Sequence, residues 1–260
     1  MRVIALIFLL ANTMVRAATP SDVRFTQRLG NALPLQTVFA DETGRQQELK
    51  YWFRGRPVFL WFGYSRCPQL CGVVADGMVT TLRSLRPSVG KDFDVIRIGI
   101  DPTETTRDAA IDRGVVIGHY GRSGAAGGWH YLVGSERAIA TVTAAAGFGF
   151  RADQATREYA HPSGFVIVTP DGRISSYFLG VDFSADDVAA AFERARGGGI
   201  GQKVFDLLLL CFRGDAIGGK YGVVIWRVLW AGVLLTVASL GLGIGRMLWT
   251  EFRTRKAVRT

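Results

Sequence analysis

Apolar and polar positions alternate in blocks along the middle of this chain. Pro57 to Tyr64 is an unbroken apolar, β-rich run, followed by a helical pattern toward Leu85, a second β-rich run from Phe93 to Ile100 and a helical pattern through Asp112. Strands alternating with helices in this way predict an α/β architecture. Further on, Gly164 to Thr169 and Arg173 to Phe178 flank Pro170-Asp171-Gly172, whose residue types favour a tight turn, so a hairpin is expected there. Ser184 followed by Asp187 resembles a capping box and opens a last helix. An earlier hairpin is predicted around Asp41 to Gly44, between Leu35 to Phe39 and Gln46 to Leu49. The order is βαβ followed by ββα, with an added N-terminal hairpin.

The two ends read differently. Arg2, the apolar run Val3 to Ala11 and the short residues around Val15-Arg16-Ala17 have the form of a secretory signal, with cleavage expected after Ala17 or Ala18. The apolar run is too short to cross a hydrocarbon core of roughly 30 Å as a helix. Val228 to Gly245 carries no charge and is extended by apolar residues on both sides, so a transmembrane helix is predicted over 221–249. Arg246, Arg253, Arg255, Lys256 and Arg259 follow it, which puts the C-terminus in the cytoplasm and the preceding domain in the periplasm. The expected organisation is a signal peptide over 1–18, a folded domain over 19–196, a glycine-rich linker and pre-membrane segment over 197–220, the span over 221–249 and a basic tail over 250–260. The length of 19–196 suits a single domain.

Charge changes this picture little. The formal net charge is +9, of which +2 lies in 1–18 and +5 in 221–260, leaving +2 for the part between. Its basic and acidic residues are interspersed, as on an ordinary solvated surface, and nucleic-acid binding has no support.

Candidate chemistry sits at the end of the first apolar run, where Phe62-Gly63-Tyr64-Ser65-Arg66-Cys67-Pro68-Gln69-Leu70-Cys71 leads into the first helix. Spacing of i and i+4 puts both sulfurs on one helical face, and the positive end of the helix dipole lowers thiol pKa values there. In an exported chain such a pair is by default a structural or redox disulfide. His161 changes the balance. Pro162 holds it extended just ahead of a strand, and in a thioredoxin-like fold that loop faces the cysteine loop. Two thiolates and an imidazole suit Cu(I), and an added water or oxygen ligand would accommodate Cu(II). Zinc in a structural site usually takes four protein ligands.

These residues carry a resemblance. From about Leu33 to Arg194 the chain is similar to the Sco/SenC family, in Arg54-Gly55-Arg56-Pro57, Phe62-Gly63-Tyr64 with the cysteine motif, Asp101-Pro102, Trp129 to Gly134, and His161 leading to Pro170-Asp171-Gly172. The resemblance implies a thioredoxin-like domain that binds one copper ion through Cys67, Cys71 and His161 and helps load the dinuclear copper centre of cytochrome c oxidase subunit II, with a periplasmic thiol reductant keeping the pair reduced. Three departures stand out. Gly72 replaces a usual proline, Ala160 precedes the histidine where aspartate is common, and Thr103-Glu104-Thr105 replaces an arginine-containing stretch.

The competing function is a thiol-disulfide oxidoreductase, with Cys67 attacking and Cys71 resolving, which needs no histidine. A peroxidase lacks its reactive-threonine and arginine surroundings. Asp101 is read either as an outer-shell residue or, with Pro102 at the first helical position, as a helix cap. His119 and His130 are set aside as ligands, Met14 and Met78 form no methionine cluster, and Cys211 is read as a buried or membrane-facing thiol. A monomeric domain is expected.

Overall fold

The computed structural model describes residues 23–65, 71–153 and 158–204, with 71–74 by backbone alone, and the positions 227, 230–237, 239–242 and 246. It divides into two compact units, 20–206 and a second made of 1–19 with 207–260. The larger holds nine strands and four α-helices among the described residues: β1 (Val38–Ala40), β2 (Gln46–Glu48), β3 (Val58–Gly63), α1 (Cys71–Ser84), β4 (Asp94–Gly99), α2 (Thr106–Tyr120), β5 (Trp129–Leu132), α3 (Glu136–Ala145), β6 (Arg151–Ala152), β7 (Tyr159–Ala160), β8 (Gly164–Val168), β9 (Ile174–Leu179) and α4 (Ala185–Arg196).

The main sheet runs β5-β4-β3-β8-β9. Strand β3 pairs in parallel with β4, and β4 with β5, whereas β8 runs antiparallel to β3 and β9 to β8. This is the expected βαβ–ββα order, with β5 and α3 inserted between its halves. The predicted hairpins are present, β1 with β2 and β8 with β9. In the second turn Asp171 accepts hydrogen bonds from the Thr169 hydroxyl and, at 2.8 Å, from Arg173 Nε.

Alternation along the strands sends side chains to two separate cores. Phe59, Trp61, Val95, Trp129, Tyr131, Phe165 and Ile167 meet α1, α2 and α4 on one face. Leu60, Phe62, Ile96, Ile98, Leu132 and Val166 meet α3 and the N-terminal segment with Leu33, Phe39, Leu49 and Trp52 on the other. Because β3 is covered on both faces, its whole run is apolar and shows no alternation in sequence.

Helix α2 is capped by Thr105, whose hydroxyl accepts from the Asp108 N–H at 3.2 Å while Asp108 Oδ2 accepts from the Thr105 N–H at 3.0 Å. The capping role considered for Asp101 is therefore not the one the chain adopts, because a turn through Thr103 and Glu104 separates Asp101 from the helix. Ser184 caps α4 by accepting from the Asp187 N–H at 3.4 Å.

In the smaller unit, residues 230–237 and 239–242 are helical, and Trp230, Val233, Leu234, Leu235, Val237, Leu240 and Leu242 are exposed. No helix among the described residues is long and apolar enough to cross a membrane, so the span expected over 221–249 has no counterpart there. The signal segment, Cys211, most of the linker and the basic tail lie outside the described residues.

Phe165 ties one core together, stacking on Phe59 at 4.1 Å and on Phe178 at 4.8 Å. Phe165→Ala is expected to lower the unfolding free energy by about 3–5 kcal/mol, measurable by denaturant titration of the full chain in detergent.

Candidate metal centre

Strand β3 ends at Gly63, and Tyr64 and Ser65 carry the chain off the sheet at the carboxyl ends of the parallel strands, where open α/β sheets place their sites. Among the described residues α1 begins at Cys71, directly after the undescribed stretch 66–70. Cys67 and the Cys71 side chain lie outside the described residues. The expected meeting of His161 with both sulfurs therefore falls outside them too.

His161 lies between β7 and β8, immediately before Pro162. The Ser163 carbonyl accepts from the Gly180 N–H at 3.0 Å, fastening the loop to the end of β9. Gly164 has φ +139°, and a Cβ there would come within 2.2 Å of the Phe178 carbonyl oxygen, so no side chain fits where the loop enters β8. The imidazole packs edge-on to Tyr64 with centroids 6.0 Å apart, and beside Phe148, also at 6.0 Å. Tyr64 is three positions before Cys67, so the histidine stands beside the strand end that leads into the cysteine loop.

His161 Nδ1 lies 3.1 Å from the Pro162 carbonyl oxygen. A carbonyl only accepts, so Nδ1 carries the proton and the lone pair of the neutral ring is on Nε2. Burial lowers its pKa below the ordinary 6.5, opposed in part by the Pro162 contact. At neutral pH the ring is thus in the form that binds metal. A neutral imidazole with two thiolates makes a soft donor set.

A polar chain stands behind this site. Tyr159 donates to Asp101 Oδ1 at 3.3 Å, and its N–H donates to the Tyr64 hydroxyl at 3.3 Å. Burial, and then the Asp101 carboxylate, raise the Tyr159 pKa, so its phenol remains a donor. Asp101 also accepts from the Thr103 N–H at 2.8 Å and hydroxyl at 2.7 Å. Asp101 thus joins the loop after β4 to Tyr159 on β7. Ala160, in place of an acidic residue, is exposed.

A buried ion pair occupies the other side of the strand end. Arg97, on β4, pairs with Glu104 Oε1, and each side chain is 1% exposed. Ser65 donates to that same Glu104 oxygen at 2.6 Å and stands 3.1 Å from Asp112 Oδ2. Tyr131 covers the guanidinium at 5.3 Å. Sequence reading missed this group; its one visible signal is an arginine inside a strand otherwise buried and largely apolar.

The sequence profile of the SCO1/SenC family matches residues 38–196, more than half of the chain. This chain belongs to that family. No curated protein matches the sequence. Among solved structures, this SCO1/SenC chain is similar to a putative electron transfer protein from Aquifex aeolicus, with 26% identity, a TM-score of 0.57, and 65% of this chain and 95% of that one covered. It shares its fold with Arabidopsis thaliana ScoI, solved with copper bound, at 14% identity, a TM-score of 0.51 and coverage of 66% and 99%. It also shares it with BsSco, described as a Sco-family cytochrome c oxidase assembly protein with a disulfide switch, at 18% identity, a TM-score of 0.50 and coverage of 66% and 98%. The thioredoxin-like architecture of the domain is thus that of the SCO1/SenC family.

The remaining histidines are engaged elsewhere. His119 Nδ1 is 3.0 Å from Asp76 Oδ1 on the surface. His130, on β5, has Nε2 2.9 Å from an Arg54 nitrogen, and Arg54 and Arg56 both bind the fully buried Asp94. Burial, and then the Arg54 and Arg113 charges, push the His130 pKa down to about 4. Among the described residues no three His, Cys, Asp or Glu gather around a metal position.

Two outcomes are expected. Arg97→Met leaves Glu104 buried and unpaired and should cost about 3–5 kcal/mol, most of it recovered in Arg97→Met/Glu104→Leu; denaturant midpoints of the two variants check this. His130 titrates near 6.5 when unfolded and near 4 when folded, so the unfolded chain binds the extra proton between these values. Stability should therefore fall as pH drops from about 6.5 toward 4, and His130→Gln should flatten that slope.

Proposed function

We propose that this SCO1/SenC protein is a membrane-anchored copper chaperone that carries one copper ion on Cys67, Cys71 and His161. Its acceptor is a copper centre of cytochrome c oxidase, subunit II or an equivalent acceptor. The observation that carries the ligand set is His161 itself, neutral, with its lone pair on Nε2 and its ring against Tyr64 at the mouth of the cysteine loop. The i, i+4 spacing of Cys67 and Cys71 leading into α1 supports a pair that can act together on one metal. Copper in Arabidopsis ScoI and the oxidase-assembly description of BsSco support the cargo and the acceptor.

The chemistry is ligand exchange. Both thiols lose protons as copper binds, and Cu(I) then passes to the acceptor's ligands without change of oxidation state. Oxidation of Cys67 and Cys71 to a disulfide removes both thiolates and blocks loading, so a periplasmic thiol reductant belongs to the cycle. Exposed apolar residues from Trp230 to Leu242, within the uncharged stretch 228–245 and ahead of a basic tail, support a C-terminal anchor with the domain in the periplasm.

Cu(I) titration of the reduced full chain in detergent, against a competing chelator, tests the reading. One copper per chain is expected, with His161→Ala weakening affinity by more than about tenfold, since loss of a direct ligand should exceed loss of an outer-shell partner. Binding indifferent to His161, with oxidase activity in cells surviving His161→Ala but not Cys67→Ser, would instead establish the thiol-disulfide oxidoreductase.

A further inference from the structure

Burying an arginine and a carboxylate at 1% exposure each is costly, and apolar residues of similar volume often serve stability as well. Such a pair calls for a task beyond filling space. Arg97 comes from β4, hydrogen-bonded on both sides by β3 and β5 in register Trp61–Arg97–Tyr131, so its backbone is immobile. Glu104 comes from the loop after β4 and folds back over the strand. Its Oε2 lies 2.6 Å from where a Cβ on Gly99 would be, so the absent side chain at Gly99 makes its lodging. The oxygen that Arg97 holds also receives the Ser65 hydroxyl at 2.6 Å, and Ser65 is two residues before Cys67.

We propose that Arg97 and Glu104 are positioning residues that act through Ser65, fixing the end of β3 from which the chain continues toward Cys67 and so setting how firmly the thiols hold copper. This rests on the copper reading above. The rigid sheet holds the guanidinium, the guanidinium holds the carboxylate, and the carboxylate holds the loop. Arg97 Nε and Nη2 and Glu104 Oε2 find no hydrogen-bond partner among the described residues, so the carboxylate's described contacts all converge on Oε1, the oxygen that grips Ser65.

The test uses the reduced full chain in detergent, with three readouts: Cu(I) affinity by chelator competition, the rate of copper release, and the ratio of iodoacetamide alkylation rates at Cys67 and Cys71 in copper-free protein. Ser65→Ala takes one hydrogen bond from the buried Glu104 carboxylate but leaves Arg97 in place, so its thermal midpoint should fall by less than that of Arg97→Met. It is expected to weaken Cu(I) about tenfold, mainly through faster release, and to change the alkylation ratio. Ser65→Thr, which keeps the hydroxyl, should stay within about threefold of the parent. In Arg97→Met/Glu104→Leu a loss in the same direction is expected, and adding Ser65→Ala should cost clearly less than it does in the parent, because Asp112 Oδ2, 3.1 Å away, is then the one partner left to the Ser65 hydroxyl among its described contacts. Release and alkylation unchanged in Ser65→Ala, or additive losses in the triple variant, would overturn the proposal even if His161→Ala abolishes binding. Should the parent take no copper, the copper reading falls, and the alkylation ratio alone upholds or overturns the positioning role.

Discussion

Strand β3 is hydrogen-bonded on both edges and buried on both faces, and the site depends on that confinement. A strand with no free edge cannot slide or tilt, because a one-residue slip would exchange the residues of the two cores. Phe59 and Trp61 belong to one core, Leu60 and Phe62 to the other. The strand therefore delivers Tyr64 and Ser65 to a fixed point, and both the histidine side and the ion-pair side of the site are built against that point. His161 is fixed from a different direction, by the hairpin of β8 and β9 and by the close approach at Gly164. Two independently anchored pieces of chain meet there, with the Tyr64 ring against the His161 imidazole.

Much of this was legible in the sequence, for identifiable reasons. The apolar run of β3, the turn at Pro170-Asp171-Gly172 and the cap at Ser184 are local signals, and local signals survive folding. Helix α3 was not foreseen, since a ten-residue helix with mixed small residues gives weak periodicity. Asp101 was readable in position but not in role. Asp101-Pro102 looks like a helix start, yet Thr105 with Asp108 forms the better cap, and Asp101 is left to meet Tyr159 from 58 residues away. Contacts of that range leave no periodic trace.

The charged cluster was illegible for another reason. Arg97 interrupts a buried strand, which announces that something must offset its charge, but the partner comes from a loop whose conformation sequence does not specify. Thr103-Glu104-Thr105 looked like a simple departure from the family pattern. In the fold it supplies the carboxylate that Arg97 needs, and Tyr131 adds a ring face to the same cation. A departure in one segment and an oddity in another are parts of one arrangement.

The empty volume at Gly99 has an evolutionary consequence. Because the Glu104 carboxylate occupies the space that a side chain at position 99 would need, positions 97, 99 and 104 cannot drift one at a time. A methyl at 99 would force the Glu104 carboxylate to shift from its place on Arg97, and an acid without its cation would be stranded. A graft of the loop that carries Glu104 onto a related scaffold would keep this pairing only if positions 97 and 99 travelled with it.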